Sequence, residues 1–244
     1  MGRLDGKVAI ITGGSRGQGE AEVRLFAAEG AKVVVSDVLV DEGQAVADSL
    51  GDAAVFLRHD VSREDDWEAA VNLATERFGG LDLLVNNAGI LHNATIAKHT
   101  LEAYERVIAV NQIGVFLGIR SAIAPMRARG GGSIVNISSG AGIRATKFGF
   151  AYGASKYAVT GMTACAALEL ARDNIRVNSI HPGVIDTPMV ASDDSTITDR
   201  IVRATPLRRV GEPIEIARVA LFLASDESSY MTGAHVPVDG GVTV

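Results

Sequence analysis

The sequence predicts an α/β domain: a doubly wound, seven-stranded parallel sheet with helices on both faces. Three observations predict it. Short β-branched runs alternate with longer stretches of helical period, the pattern of successive βαβ units. Most of those runs are apolar almost throughout, as strands covered by helices on both faces are. The 244 residues, 47% hydrophobic and 21% charged, hold no internal repeat, low-complexity tract or linker, which suits a single domain over 1–244.

Taken in order, strands are expected over 8–12, 32–37, 54–60, 82–86, 132–138, 176–181 and 235–238. The first two, Val-Ala-Ile-Ile-Thr and Lys-Val-Val-Val-Ser-Asp, are apolar and β-branched at nearly every position. Helices are expected over 18–29, 41–50, 63–78, 101–128 and 151–172, a short one near Asp199, and 213–224. Ser62 with Asp65 three residues on resembles a capping box, and Thr100 stands as an N-cap before the 101–128 helix. Gly79-Gly80 and Gly130 to Gly132 supply stops. From Pro182 to about Thr198 no clear period is visible, and a loop that long is more often functional than idle. Residues 182–210 are therefore taken as a substrate loop built into the domain.

Composition excludes several classes. With 23 basic against 29 acidic residues the net charge is −6, which repels a phosphate backbone, so no nucleic-acid partner is expected. No stretch free of charged residues reaches bilayer-spanning length and no apolar signal region opens the chain, so no membrane span or targeting segment is expected. Cys165, the one cysteine, cannot close an intramolecular bridge; it fits a small buried hydrophobe in a reducing, cytoplasmic compartment. The five histidines show no metal-ligand spacing, and Trp67 is read as packing its helix on the core. The 27 glycines are the one excess over the usual share of about 7%.

The first strand runs into Thr12-Gly13-Gly14-Ser15-Arg16-Gly17-Gln18-Gly19 and then a helix. Glycines let backbone turn sharply and approach a pyrophosphate, while the helix N-terminus offers unpaired N–H groups. Gly13, Gly17 and Gly19 carry those roles in a Rossmann-like arrangement. The second strand ends on Asp37, where a dinucleotide site places an acid for the adenosine ribose; a carboxylate there repels a 2′-phosphate, favouring NAD(H) over NADP(H). Arg16, inside the turn, is either a 2′-phosphate ligand or a solvated side chain. Asp60 and Val61, closing the third strand, are placed to meet the adenine edge.

Further on come Asn86-Asn87-Ala88-Gly89 after the fourth strand, Asn111 within a helix, Ser138-Ser139 closing the fifth strand, and Tyr152-Gly153-Ala154-Ser155-Lys156. Tyr152 and Lys156, four apart, share a helix face, and a nearby ammonium lowers a phenol's pKa from its usual value near 10. Tyr152 then exchanges a proton with a hydroxyl or carbonyl oxygen while Ser139 hydrogen-bonds the same oxygen. Asn111 interrupts an apolar helical face and needs a polar partner. Over essentially its whole length the chain resembles the short-chain dehydrogenase/reductase family. The resemblance puts Asn111, Ser139, Tyr152 and Lys156 on the catalytic tetrad, with Asn111 relaying protons through water and Lys156 also holding the nicotinamide ribose. It makes Asn87, Ala88 and Gly89 cofactor contacts, and Pro182, Gly183, Ile185 and Thr187 contacts of the nicotinamide. The commonest family pattern has Ile or Leu where Gln18 stands; its amide could reach the phosphates or the substrate edge.

The site walls are expected from 90–94, 140–150 and 184–198, with Ile143, Phe148, Phe150, Ile185, Met189 and Val190 lining a pocket for a small hydrophobic ketone or secondary alcohol and no cluster of basic side chains. Ser-Asp-Val-Leu at Asp37, His181-Pro182-Gly183 and Ser228 to Gly233 look most like bacterial NAD-linked hydroxysteroid and secondary-alcohol dehydrogenases. One rival is an NADPH-dependent 3-oxoacyl-[acyl-carrier-protein] reductase, which needs a basic patch that Arg127, Arg129 and Arg172 could form. Another is a non-catalytic NAD-binding redox sensor, a class that loses the Tyr and Lys retained here. The long helices 101–128 and 151–172 carry small and apolar positions beyond one buried stripe; the resemblance implies that they pair subunits, in a homotetramer.

Overall fold

The computed structural model describes residues 2–191 and 195–244, the side chains of 195–199 excepted. Its strands are β1 (Val8–Thr12), β2 (Lys32–Asp37), β3 (Ala54–Arg58), β4 (Leu83–Asn86), β5 (Gly132–Ile137), β6 (Ile175–Pro182) and β7 (His235–Val238). All pair in parallel, in the order β3-β2-β1-β4-β5-β6-β7. The winding reverses between β1 and β4, and a crevice opens beyond their carboxyl ends, where open α/β sheets bind ligands.

Around the sheet lie α1 (Gly17–Ala28), α2 (Val40–Leu50), α3 (Glu64–Phe78), α4 (Leu101–Ile108), α5 (Gly114–Ala128), α6 (Phe150–Leu170), α7 (Pro188–Ala191), α8 (Ser195–Ala204) and α9 (Pro213–Ala224). The period of two along each strand divides the core between them. Ala9, Ile11, Val33 and Val35 pack against Val23 and Phe26 of α1 and Ile216 and Ala220 of α9. Val8, Ile10 and Val34 pack on the opposite face against Trp67 and Ala70 of α3, Val115 and Met126 of α5 and Val159 of α6. Each fully buried aliphatic side chain of this kind contributes about 1.5–3 kcal/mol. Trp67 is buried as expected, its indole N–H donating to the Val61 carbonyl at 2.9 Å.

Four local expectations change. The third strand stops at Arg58, because Asp60 turns away: its N–H bonds Asp66 and its carboxylate accepts from Ser62. That spends Ser62, so Arg63 is the N-cap residue of α3 and gives no side-chain cap, and a capping box stands instead at the start of α9, between Glu212 and Glu215. Cys165 is exposed, not buried. The 101–128 helix is interrupted by one π-helical turn, Ala109–Ile113, with Asn111 at its centre. The 28-residue Leu101–Ala128 stretch holds an 18-residue window of mean hydropathy 1.6, long and apolar enough by length and composition for a membrane span. Asn111, Val107, Val115 and Met126 are nevertheless buried within the domain, as in a core helix. Within the expected substrate loop, α7 and α8 form; residues 192–194 lie outside the described residues.

Candidate active site

The glycine turn is held in shape by the end of β4. Thr12 Oγ1 accepts from the N–H groups of Asn87 and Ala88, both at 3.0 Å, and the Asn87 amide donates to the carbonyls of Thr12 (2.9 Å) and Gly13 (3.2 Å). Asn87 thus spends its side chain on the turn. Gly13 and Gly17 adopt φ of 66° and 60°, the left-handed region that favours glycine. Gly19 lies over the turn so closely that a Cβ there would overlap the Gly13 carbonyl. Beyond the turn, a cleft of about 1480 Å³ runs along the carboxyl edge of the sheet.

Of the site residues expected from the sequence, all but Gly19 and Asn111 line this cleft. Gly19 packs against the Gly13 carbonyl of the turn. Asn111 is fully buried behind the wall, where its Oδ1 accepts from Ile90 N–H (2.8 Å) and its Nδ2 donates to the Ile90 carbonyl (2.9 Å) and Ser155 Oγ (3.2 Å). The polar partner that Asn111 needs is therefore the backbone of the 90–94 wall. At the other end, the Asp37 carboxylate accepts from Ser15 N–H and Leu39 N–H, both at 3.1 Å, which fixes it at the tip of β2 facing the cleft. Burial pushes the Asp60 carboxyl up, but hydrogen bonds from Ser62 and the charges of Arg58 and Arg63 outweigh it, and its pKa is lowered.

The catalytic candidates converge at the centre. Tyr152 and Lys156 stand one turn apart on α6, with Lys156 Nζ 5.6 Å from the Tyr152 ring centre and donating to the Ile137 carbonyl at 2.7 Å. Ser139 hydrogen-bonds Tyr152, and its Oγ accepts from Ala141 N–H at 3.1 Å. The electrostatics correct the expectation of a lowered phenol pKa. Burial raises Tyr152 above its usual value and the Ser139 hydrogen bond only partly opposes it, while burial lowers Lys156 to about 8. In the protein alone desolvation governs both groups.

Sequence reasoning missed three features. His181, buried beneath the site, has Nδ1 3.0 Å from the Ser139 carbonyl and Nε2 2.9 Å from Ser179 Oγ. A carbonyl only accepts, so Nδ1 carries the proton and the neutral ring holds Ser139 by its backbone; burial lowers the His181 pKa in keeping with this. His59, held neutral by burial with a pKa of about 4 despite nearby Asp66 and Asp60, lines the cleft beside Asp60. Ile201 and Val242 join the opposite wall. His181 stands in the His181-Pro182-Gly183 turn, but its bond to the Ser139 carbonyl, like the places of His59, Ile201 and Val242, arises only in the folded chain.

The substrate walls are mixed. Phe148, Ile185, Met189 and Val190 line the cleft as expected, but Ile143 and Phe150 do not; Phe150 turns outward to Tyr104 and His99, with ring centres 6.2 and 6.4 Å away. Arg106, Arg144, Lys147 and Arg200 also face the cleft, so basic side chains are present where none were expected. Arg144 bonds the Val242 carbonyl. Arg127 and Arg129 are paired with Asp173 and Asp82 instead of forming a free patch.

Residues 13–243 match a family model described as enoyl-(acyl carrier protein) reductase. The 3-alpha-(or 20-beta)-hydroxysteroid dehydrogenase of Mycobacterium tuberculosis is 50% identical over 240 residues, covering 98% of this chain and 90% of that one. The trans-4-hydroxycyclohexanecarboxylate dehydrogenase of Sinomonas cyclohexanicum is 44% identical over 250 residues, with 99% and 94% covered. The 2,5-dichloro-2,5-cyclohexadiene-1,4-diol dehydrogenase LinX of Sphingobium indicum is 43% identical over 245 residues, with 99% and 98% covered. Similarity of this extent, carried by a chain whose glycine turn, Ser139, Tyr152 and Lys156 meet along one cleft, makes the protein a member of the short-chain dehydrogenase/reductase family.

Proposed function

We propose that this protein interconverts a hydrophobic secondary alcohol, alicyclic, aromatic or steroid-like, and its ketone with NAD(H). The observation that carries the reading is the convergence of Tyr152, Ser139 and Lys156 on one point of a cleft that begins at the glycine turn. The turn fits a dinucleotide: a Cβ on Gly13 would stand 2.9 Å from Asn87 Nδ2, so only glycine keeps the cradle open. Gly13, Gly17 and the first N–H groups of α1 would hold the diphosphate, Asp37 the adenosine ribose, Val61 and Asp60 the adenine side, and Pro182, Gly183, Ile185 and Thr187 the nicotinamide side. The bound nicotinamide supplies the hydride acceptor or donor.

The protein's own groups handle the proton. In reduction the Tyr152 hydroxyl donates to the carbonyl oxygen while Ser139 Oγ–H donates to the same atom, stabilising the charge that grows there. In oxidation the Tyr152 phenolate takes the hydroxyl proton, and the Lys156 ammonium, when charged, favours that phenolate. Asn111 keeps the Ile90 backbone, and with it the 90–94 wall, in place. Segment 182–210 serves as the substrate loop of this single domain. The cations on the cleft wall add a ring alcohol bearing a carboxylate to the substrates worth assaying.

The acyl-carrier-protein reductase reading is disfavoured by the ion pairs that occupy Arg127 and Arg129 and by Asp37. The sensor reading is disfavoured by the retained Tyr152 and Lys156. The apolar residues left exposed on α5 and α6 support a homotetramer, and the lone cysteine supports a cytoplasmic setting. A panel of cyclic ketones, ring hydroxy acids, steroids and an acetoacetyl thioester, assayed with NADH and with NADPH, tests the reading. Turnover of cyclic ketones with NADH is expected; turnover confined to the thioester with NADPH would replace it with the rival.

A further inference from the structure

His181, the last residue but one of β6, is fully buried and does not itself line the cleft. An imidazole is costly to bury unless both nitrogens have partners, and here both do. Nδ1 lies 3.0 Å from the Ser139 carbonyl and Nε2 2.9 Å from Ser179 Oγ. Burial lowers the His181 pKa, so the ring is neutral; the carbonyl can only accept, so Nδ1 donates to it and Nε2 accepts from the Ser179 hydroxyl. The ring is thereby fixed at both ends.

What it fixes is the start of the turn that carries Ser139. Ser139 Oγ accepts from Ala141 N–H at 3.1 Å and the Ser139 carbonyl from Gly142 N–H at 2.8 Å, both donors belonging to the single 3-10 turn Gly140–Gly142. Those two bonds travel with the turn. The His181 N–H reaches the same carbonyl from the neighbouring strand, β6 beside β5, and so ties the Ser139 peptide itself to the sheet. Ser139 in turn hydrogen-bonds Tyr152. We propose that His181 is a positioning residue: by holding the Ser139 carbonyl it sets where Ser139 Oγ–H points, and hence the geometry in which Ser139 and Tyr152 share the reacting oxygen. The inference rests on the hydride-transfer reading of the site.

Two amide variants separate this role from core packing. The side-chain nitrogen of Asn takes the place of Nδ1 and the amide end of Gln that of Nε2, so His181→Asn keeps the bond to Ser139 and loses the one to Ser179, whereas His181→Gln does the reverse. Both are compared with wild type in the reduction of a cyclic ketone with NADH, resolving kcat from KM and measuring the NADH Kd by fluorescence titration. His181→Gln is expected to lower kcat about 10- to 100-fold, the scale of loss when a reacting group is misplaced, with His181→Asn within about threefold of wild type and the NADH Kd unchanged in both. Equal kcat in the two folded variants, or the larger loss in His181→Asn, overturns the proposal, because a packing role does not depend on which nitrogen is retained. Wild type carries an independent readout: magnetic resonance of nitrogen-labelled histidine is expected to show His181 protonated on Nδ1 at neutral pH, and a ring protonated on Nε2 alone overturns the proposal even where neither variant folds. Wild type that reduces no ketone with either cofactor fails the hydride-transfer reading and takes the proposal with it, a result distinct from equal variants of an active enzyme.

Discussion

Burial acts on Tyr152 and Lys156 in opposite chemical senses, raising the phenol and lowering the amine, so each neutral form is favoured in the protein alone. A neutral phenol is the form that donates in reduction, and oxidation needs it ionised. The rate of alcohol oxidation is therefore expected to climb with pH through the alkaline range and that of ketone reduction to fall, measured as kcat/KM in each direction. Tyr152→Phe should lower both by about 10²–10⁴ with NADH binding retained; full turnover in that variant would remove Tyr152 from the chemistry. Glu22 makes the same electrostatic point for stability. Burial lifts its carboxyl from 4.5 to about 8, so the folded state holds a proton that the unfolded chain releases above pH 4.5. The sign follows: stability is intact below the unfolded value, declines as pH rises through this window and levels off above 8. At pH 7 the loss is roughly 3 kcal/mol. Glu22→Gln keeps the shape and removes the titration, so its melting temperature should exceed wild type at pH 8 and converge with it near pH 4; parallel curves would show that Glu22 is not the titrating group.

At the scale of elements, what was legible depended on whether the signal was local. Every strand and nearly every helix was readable because each carries its own periodicity, and Thr100 was readable as a cap because an N-cap bonds within its own turn: its Oγ1 accepts from Ala103 N–H at 3.1 Å. Thr100→Ala is expected to cost about 1 kcal/mol in denaturant unfolding without changing turnover, and an unaltered midpoint would deny it the role. Ser62 presents the same local pattern, yet Asp60 captures its hydroxyl and its N–H, so the competing partner two residues back decides the start of α3. The π-helical turn at Asn111 was not legible: the bonds its side chain makes are long-range ones to the Ile90 backbone, which only the fold brings near. The candidate site divides the same way. The glycine turn and the Tyr152–Lys156 pair show in sequence spacing, whereas the His181 support of Ser139 and the basic residues on the substrate wall depend on chain segments that meet only in the fold.

For the molecule as a whole, the exposed apolar surface is unevenly placed. α5 and α6 are neighbours, and their exposed apolar residues include Phe116, Tyr157 and Leu168, the last 85% exposed, with Ile113 on the π-helical turn just before α5. The sheet is uneven too. β1 and β4 are buried at every position, whereas β7, an edge strand, leaves His235 and Pro237 exposed beside a fully exposed Tyr230. An uncovered edge strand invites pairing or coverage by another chain, and a row of apolar side chains on two adjacent helices suits a stable contact once about 1,000 Å² is buried. Two such self-complementary surfaces on one subunit, each pairing it with another copy about a two-fold axis, give a dimer of dimers, a tetramer, when both are used. Light scattering is expected to return four times the 25.5 kDa chain mass. A Phe116→Asp/Leu168→Asp double variant, which buries charge only at the helix contact, should drop to a dimer held through the β7 side and keep its far-ultraviolet circular dichroism. A wild type that runs as a monomer would leave both surfaces without the partner argued for them, and a double variant that stays tetrameric would move the contact away from α5 and α6.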